Sequence, residues 1–146
     1  MPDRHGPLRN TRFLLEIDGV ARGGFSVCCL PSARTDVVEY REGNDGRPTN
    51  RKLAGSTDYG PLVLKGGVAD GTGLYEWHRL VEQGKLGEAR RPVAVVVLDE
   101  EGQPGARWEF RDAWPARYGA PRLDATGKGV ALETLEIVTE GFERVQ

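Results

Sequence analysis

The residues of this chain that could do chemistry are few and do not converge. It has two histidines, His5 in a polar N-terminal stretch and His78 in an amphipathic segment. A zinc site or a histidine-based triad needs several such groups meeting at one point, so neither has its parts. Cys28 and Cys29 are neighbours, and in an extended strand adjacent side chains point to opposite faces. That argues against a disulfide framework and for two small strand residues in a reducing compartment. Asp99, Glu100 and Glu101 lie together, but in the turn-rich "DEEGQPG", where solvated charge is the ordinary reading rather than paired acid–base carboxylates. Ser26, Ser32 and Ser56 have no identifiable base. The glycines of "GTGLYEW" and of "GKG", Gly127 to Gly129, lack the strand-to-helix setting or the GK[ST] sequence of a phosphate cradle. No catalytic, cofactor or metal site is assigned, and an enzyme is not the expected class.

Composition narrows the field further. The 20 basic and 22 acidic side chains give a formal charge of -2 and are spread along the chain, which leaves no basic stripe for nucleic acid. No apolar run approaches the roughly 20 residues of a membrane span, and nothing at the N-terminus resembles a signal peptide. The expectation is a chain made and folded in the cytosol without secretory export. With 146 residues it should form one domain, 1–146, with 1–11 as a polar tail. A chain of this size buries roughly 70% of its unfolded surface and needs no disulfide or metal to stay folded.

The elements follow from hydrophobic period. "RFLLEID" alternates, with Phe13, Leu15 and Ile17 on one face. "TDVVEYRE" does so with Val38 and Tyr40, "PLVLKGGV" with Leu62, Leu64 and Val68, and "ARWEFRDAW" with Ala106, Trp108 and Phe110. Each predicts a half-buried strand. "VAVVVL", Val93 to Leu98, is apolar on both faces and should be covered on both, by the core and by a helix or a neighbouring subunit. "VALETLEIVTE" changes phase between Leu132 and Leu135, which predicts a β-bulge near Glu133 and Thr134. One segment has helical period: Leu74, Trp77, Leu80 and Val81 predict a helix over about 72–84, ending at Gly84, with Asp70 or Thr72 as N-cap. Strands, one helix and more strands describe a mainly β fold, an antiparallel sandwich or barrel of two sheets with one helix.

This leaves about 42–59, a long polar extension with arginines, the turn Asn44-Asp45-Gly46 and almost no apolar residue besides Leu53. Such a stretch is expected to order against a partner, and antiparallel sheets have edges that must be blocked or used. Tyr40, Arg41, Glu42, Asn44, Asp45, Arg47, Arg51, Lys52, Leu53 and Tyr59 are the candidate intersubunit residues. Val38 and Ile137 are candidate positions near seams between sheet edges.

Taken in order, "VEYREG", "RKLAG" before "LKGGV", the tryptophan helix, "ARWEF" with "AWP", and "ATGKGVALETLEI" with "EG" resemble the phage T4-type tail tube proteins, and most closely the inner tube subunits of extracellular contractile injection systems. The likeness runs from about Arg12 to Phe142, and "VCCL" departs from the pattern. The resemblance implies hexameric rings of β-barrel subunits stacked into a hollow tube. The long extension would reach neighbouring subunits and the adjoining ring. It implies as partners further copies of the chain, a sheath protein, spike or baseplate and tube-initiator proteins, and a cargo effector in the lumen. Assembly would take place in the bacterial cytoplasm, followed by a place in a phage-like particle, with no cofactor. Two other readings stay open: a tube-initiating or adaptor subunit between spike and tube, and a monomeric small-ligand-binding β-barrel.

Overall fold

The structure, a computed structural model, describes residues 12–22, 25–41, 43, 46, 50–67, 73–127, 129 and 131–146. In chain order the elements are β1 (Phe13–Ile17), β2 (Val20–Arg22), β3 (Phe25–Cys29), β4 (Ala33–Tyr40), β5 (Arg51–Tyr59), β6 (Leu62–Gly67), α1 (Gly73–Glu82), α2 (Leu86–Ala89), β7 (Arg91–Leu98), β8 (Pro104–Gly119), β9 (Leu132–Val138) and β10 (Gly141–Arg144). The strand pairs are antiparallel. Short turns suffice for this: Asp18 and Gly19, both at positive φ (54° and 76°), join β1 to β2 as the right-handed twist of a tight hairpin requires.

The fold is organised around β8, which is 16 residues long. Its first half pairs with β7 and β10, its second half with β9. A first sheet, β2-β1-β7-β8, therefore continues through this one strand into a second, β8-β9-β6-β3. The strand turns between them at Asp112, whose φ is 49°. There Arg91 pairs with Ala113 but Val93 with Phe110, so β8 carries one extra residue. A bulge of this kind bends the strand and raises its twist, and aspartate tolerates the left-handed region better than a β-branched residue does. A second irregularity falls between Pro115 and Arg117, where a proline without an N–H does least harm to the ladder.

The alternation read from the sequence builds one core. Leu15, Ile17, Val93, Val95 and Phe110 from the first sheet meet Leu62, Leu64, Leu135 and Ile137 from the second, with Trp77 and Ala89 from the helices. Each such apolar side chain contributes roughly 1.5–3 kcal/mol when fully buried. Helix α1 lies within the expected span and anchors through Trp77, with Leu74, Leu80 and Val81 half-buried against the core. Its end is a Schellman cap: the N–H of Gly84, at φ 77°, donates to the Val81 carbonyl at 3.0 Å and that of Lys85 to the Leu80 carbonyl at 2.8 Å, which satisfies two terminal carbonyls. The expected N-caps, Asp70 and Thr72, lie outside the described residues, as does Val68.

Several expectations are corrected. A second helix, α2, follows α1 directly; at four residues it is too short to show a period. No bulge occurs near Glu133 and Thr134: β9 pairs without a break from Leu132 to Ile137 against β6. The phase change arises because Leu132, at the strand's start, is exposed while Leu135 and Ile137 are buried. Ile137 is not at an edge either, since β9 lies between β8 and β6; a proline there would break the sheet and not test a seam. On β7 the outward Ala94 and Val96 are buried within the chain itself. Arg107 of β8 reaches across β7 to Glu16 of β1 at 2.5 Å, and also pairs with Glu109 at 3.0 Å. The long charged side chains lie over the apolar strand and keep their heads near water. His78 is half-buried and its Nδ1 lies 3.1 Å from Glu82.

Candidate assembly interface

The polar extension is present, and its second half is a strand. β5 pairs with β4 in a two-stranded sheet of their own. All eight residues of β4 and all of β5 except Tyr59 are exposed. The pair is therefore a hairpin standing out from the two-sheet body, and not a loop. Val38 and Tyr40, expected on a half-buried face, are exposed with it.

Its register explains what it displays. Tyr40 faces Arg51, Glu39 faces Lys52, Val38 faces Leu53 and Val37 faces Ala54; past an irregularity between Thr35 and Val37, Thr35 faces Thr57 and Ala33 faces Tyr59. Directly opposed residues share a face. One face of the distal half thus carries Val38, Leu53 and Tyr40, with exposures of 50%, 51% and 43%, beside Arg51. Polar cross-strand contacts hold the ribbon: Thr35 and Thr57 hydroxyls at 2.8 Å, Asn50 Nδ2 donating to Glu39 at 3.4 Å, and Ser56 Oγ donating to Asp36 at 3.5 Å. Gly55 is fitted to the irregularity, because a Cβ there would come within 3.2 Å of the Asp36 backbone and side chain.

Of the candidate residues, Tyr40, Arg41, Arg51, Lys52 and Leu53 fall together in this distal half. Glu42, Asn44, Asp45 and Arg47 lie outside the described residues. Tyr59 is at the opposite end, at the hairpin's base, where its ring meets Phe142 of the body edge-on with centroids 5.2 Å apart. The structure adds Val37 to the displayed set and places the seam candidate Val38 in it, both exposed. Alternation pointed to them as strand residues but could not show that neither face is covered.

Among the described residues little else is suited to chemistry. Among the described residues no group of three His, Cys, Asp or Glu side chains could hold a metal ion, and no helix is long and apolar enough to cross a membrane. Both cysteines are free thiols, Cys29 exposed and Cys28 half-buried, with Cys28 packed on the core. Burial, and then the charge of Cys29, raise the Cys28 pKa from 9.0 to about 11. The thiolate is the nucleophile, so iodoacetamide at pH 8 should label Cys29 quickly and Cys28 only on unfolding; equal rates in peptide mass spectrometry would contradict this. The raised pKa also makes stability fall as pH rises, because the unfolded chain loses this proton near 9.0 while the folded chain holds it to about 11. Cys28→Ala should flatten that alkaline decline in melts across the same window.

A family model for the T4-like virus tail tube protein gp19 matches residues 9–143. The chain belongs to the T4-like tail tube family. Solved structures share the fold. A chain of the anti-feeding prophage baseplate is similar at a TM-score of 0.79 and 25% identity, covering 96% of each chain. A chain of the extended sheath–tube complex of PVC, an extracellular contractile injection system, is similar at 0.82 and 19% identity, covering 97% of this chain and 93% of that one. Hcp1 from Flavobacterium johnsoniae shares the fold at 0.56 and 14% identity, covering 91% and 94%. No match was found among curated protein sequences.

Proposed function

We propose that this tail tube protein is the repeating subunit of the inner tube of a contractile injection system, forming hexameric rings that stack into a hollow conduit. The observation that carries the reading is the β4–β5 hairpin, a β-ribbon exposed along its length that displays Val38, Leu53 and Tyr40. Exposed strands with apolar side chains invite pairing or covering by another chain. A second copy is the occupant, and a head-to-tail contact closes into a ring when its rotation suits. The related chains come from a six-fold symmetrised baseplate and from a sheath–tube complex. The same partners are therefore assigned here: further copies of the chain, a sheath outside the tube, and spike, baseplate and tube-initiator proteins at its end. The function is mechanical and not enzymatic. Sheath contraction drives the tube through a target envelope, and a cargo effector can travel in the lumen. Assembly takes place in the bacterial cytoplasm before the particle is released. The chain acts as one domain over 1–146, and Tyr40, Arg41, Glu42, Asn44, Asp45, Arg47, Arg51, Lys52 and Leu53 lie at its contacts.

One observation favours a second reading, the tube-initiating subunit: the baseplate chain is 25% identical and the sheath–tube chain 19%. Sedimentation velocity over a concentration series separates the two. A repeating subunit should give species that lengthen with concentration, whereas an initiator should stop at single rings until a second tube protein is added. A monomer throughout, with spike and initiator present, would remove both readings.

A further inference from the structure

We infer that Tyr59 and Phe142 are positioning residues for assembly, an aromatic latch that fixes the angle at which the hairpin leaves the body. The inference rests on the reading of the hairpin as an intersubunit element. A two-stranded hairpin is marginally stable at best on its own, and almost every described residue of this one is exposed. Its direction must be set at its base. There the Gly60 N–H donates to the Ser32 carbonyl at 3.0 Å, in the same register as Cys29 with Val63 and Ala33 with Tyr59, so this bond joins the ribbon's two strands to each other and does not brace them against the last strand.

The bracing contact is aromatic. Tyr59 ends β5, and its ring meets Phe142 edge-on at an interplanar angle of 70°. Phe142 stacks in turn on Phe110, centroids 5.5 Å apart, and Phe110 is 2% exposed in the core. Phe142 is held in place because β10 is zipped to β8 from Gly141 to Arg144 and the Arg144 guanidinium sits over the Trp108 ring at 5.4 Å. The path Tyr59–Phe142–Phe110 thus ties the ribbon to the rigid core through the last strand of the chain. Leverage makes the contact matter. Leu53 is six residues up the strand from Tyr59, about 20 Å at the rise of a β-strand, so a tilt of about 10° at the base displaces Leu53 by about 3.5 Å. Close-packed interfaces do not absorb a shift of that size.

The test compares Tyr59→Ala with Tyr59→Phe, which keeps the ring. Spin labels at Val37→Cys on the hairpin and Glu76→Cys on α1, in a Cys28→Ser and Cys29→Ser background, report the hairpin's direction in the dilute monomer by electron–electron distance. Unlabelled variants are scored for tubes by microscopy, with circular dichroism as the check on folding. Tyr59→Ala should turn one narrow distance peak into a broad distribution and lose the tubes while the body stays folded, and Tyr59→Phe should restore both. A narrow distribution in Tyr59→Ala overturns the latch, whichever way assembly goes. A broad distribution with normal tubes overturns the positioning role. A wild-type chain that never assembles overturns the assembly reading instead, a result the monomer distances do not share.

Discussion

Val38→Asp combined with Leu53→Asp is expected to abolish tube formation while leaving unfolding free energy within about 1 kcal/mol of wild type, the sum of a small surface effect and the cost of like charges opposed across two strands. Both side chains are about half exposed in the isolated chain, so little packing is lost within the monomer. They face each other across the ribbon, and two carboxylates placed there repel each other. Across an interface the effect is far larger, because a buried carboxylate without a partner costs several kcal/mol of desolvation per ion, and the contact recurs in every subunit of a ring. Pelleting assays and negative-stain microscopy read the loss; urea melts establish that the fold is kept. Normal tubes from the double variant would place the hairpin face outside the interface.

The largest stability effect should come from Trp77→Ala. The indole is 2% exposed, and removing a buried aromatic side chain costs roughly 3–5 kcal/mol. Its Nε1–H also donates to the Ala89 carbonyl at 2.6 Å, the bond that fastens α2 to α1, and the Arg91 guanidinium lies 5.6 Å from the ring centre. The substitution thus orphans a carbonyl at the end of the shorter helix and removes a cation–π contact. Against a total of about 5–15 kcal/mol for a typical domain, this approaches the limit of folding. Trp77→Phe separates the contributions: it keeps much of the volume and loses the hydrogen bond, for which about 1–3 kcal/mol is expected. A loss below about 1 kcal/mol for Trp77→Ala in urea denaturation would contradict the core assignment.

What could be read in the sequence divides along physical lines. Strands with one wet face announce themselves by alternation, which is why Leu15, Ile17, Leu62, Leu64 and Phe110 are where the period puts them. Period says nothing about whether a face is covered, so Val38 and Tyr40 look like core residues and stand in solvent. Polarity along 51–59 marks a polar extension with no strand period, yet its residues pair with β4 strand to strand; a ribbon wet on both faces has no hydrophobic signature to betray it. The Arg107–Glu16 pair that reaches across β7 depends on residues far apart in the chain that only strand order brings together. In sequence Tyr59 is one more residue of the extension, because its partner Phe142 is unrelated to it by any local pattern. The family resemblance, carried by motifs spread over nearly the whole chain, stands with the family match over residues 9–143.

Assembly of this chain through the hairpin into a tube is decided by cryo-electron microscopy of the concentrated protein with initiator present. Six-fold rings stacked into hollow tubes are expected, with the Val38 and Leu53 face of each hairpin covered by another copy; particles that remain monomeric, or tubes in which that face stays open to solvent, would contradict assembly through the hairpin.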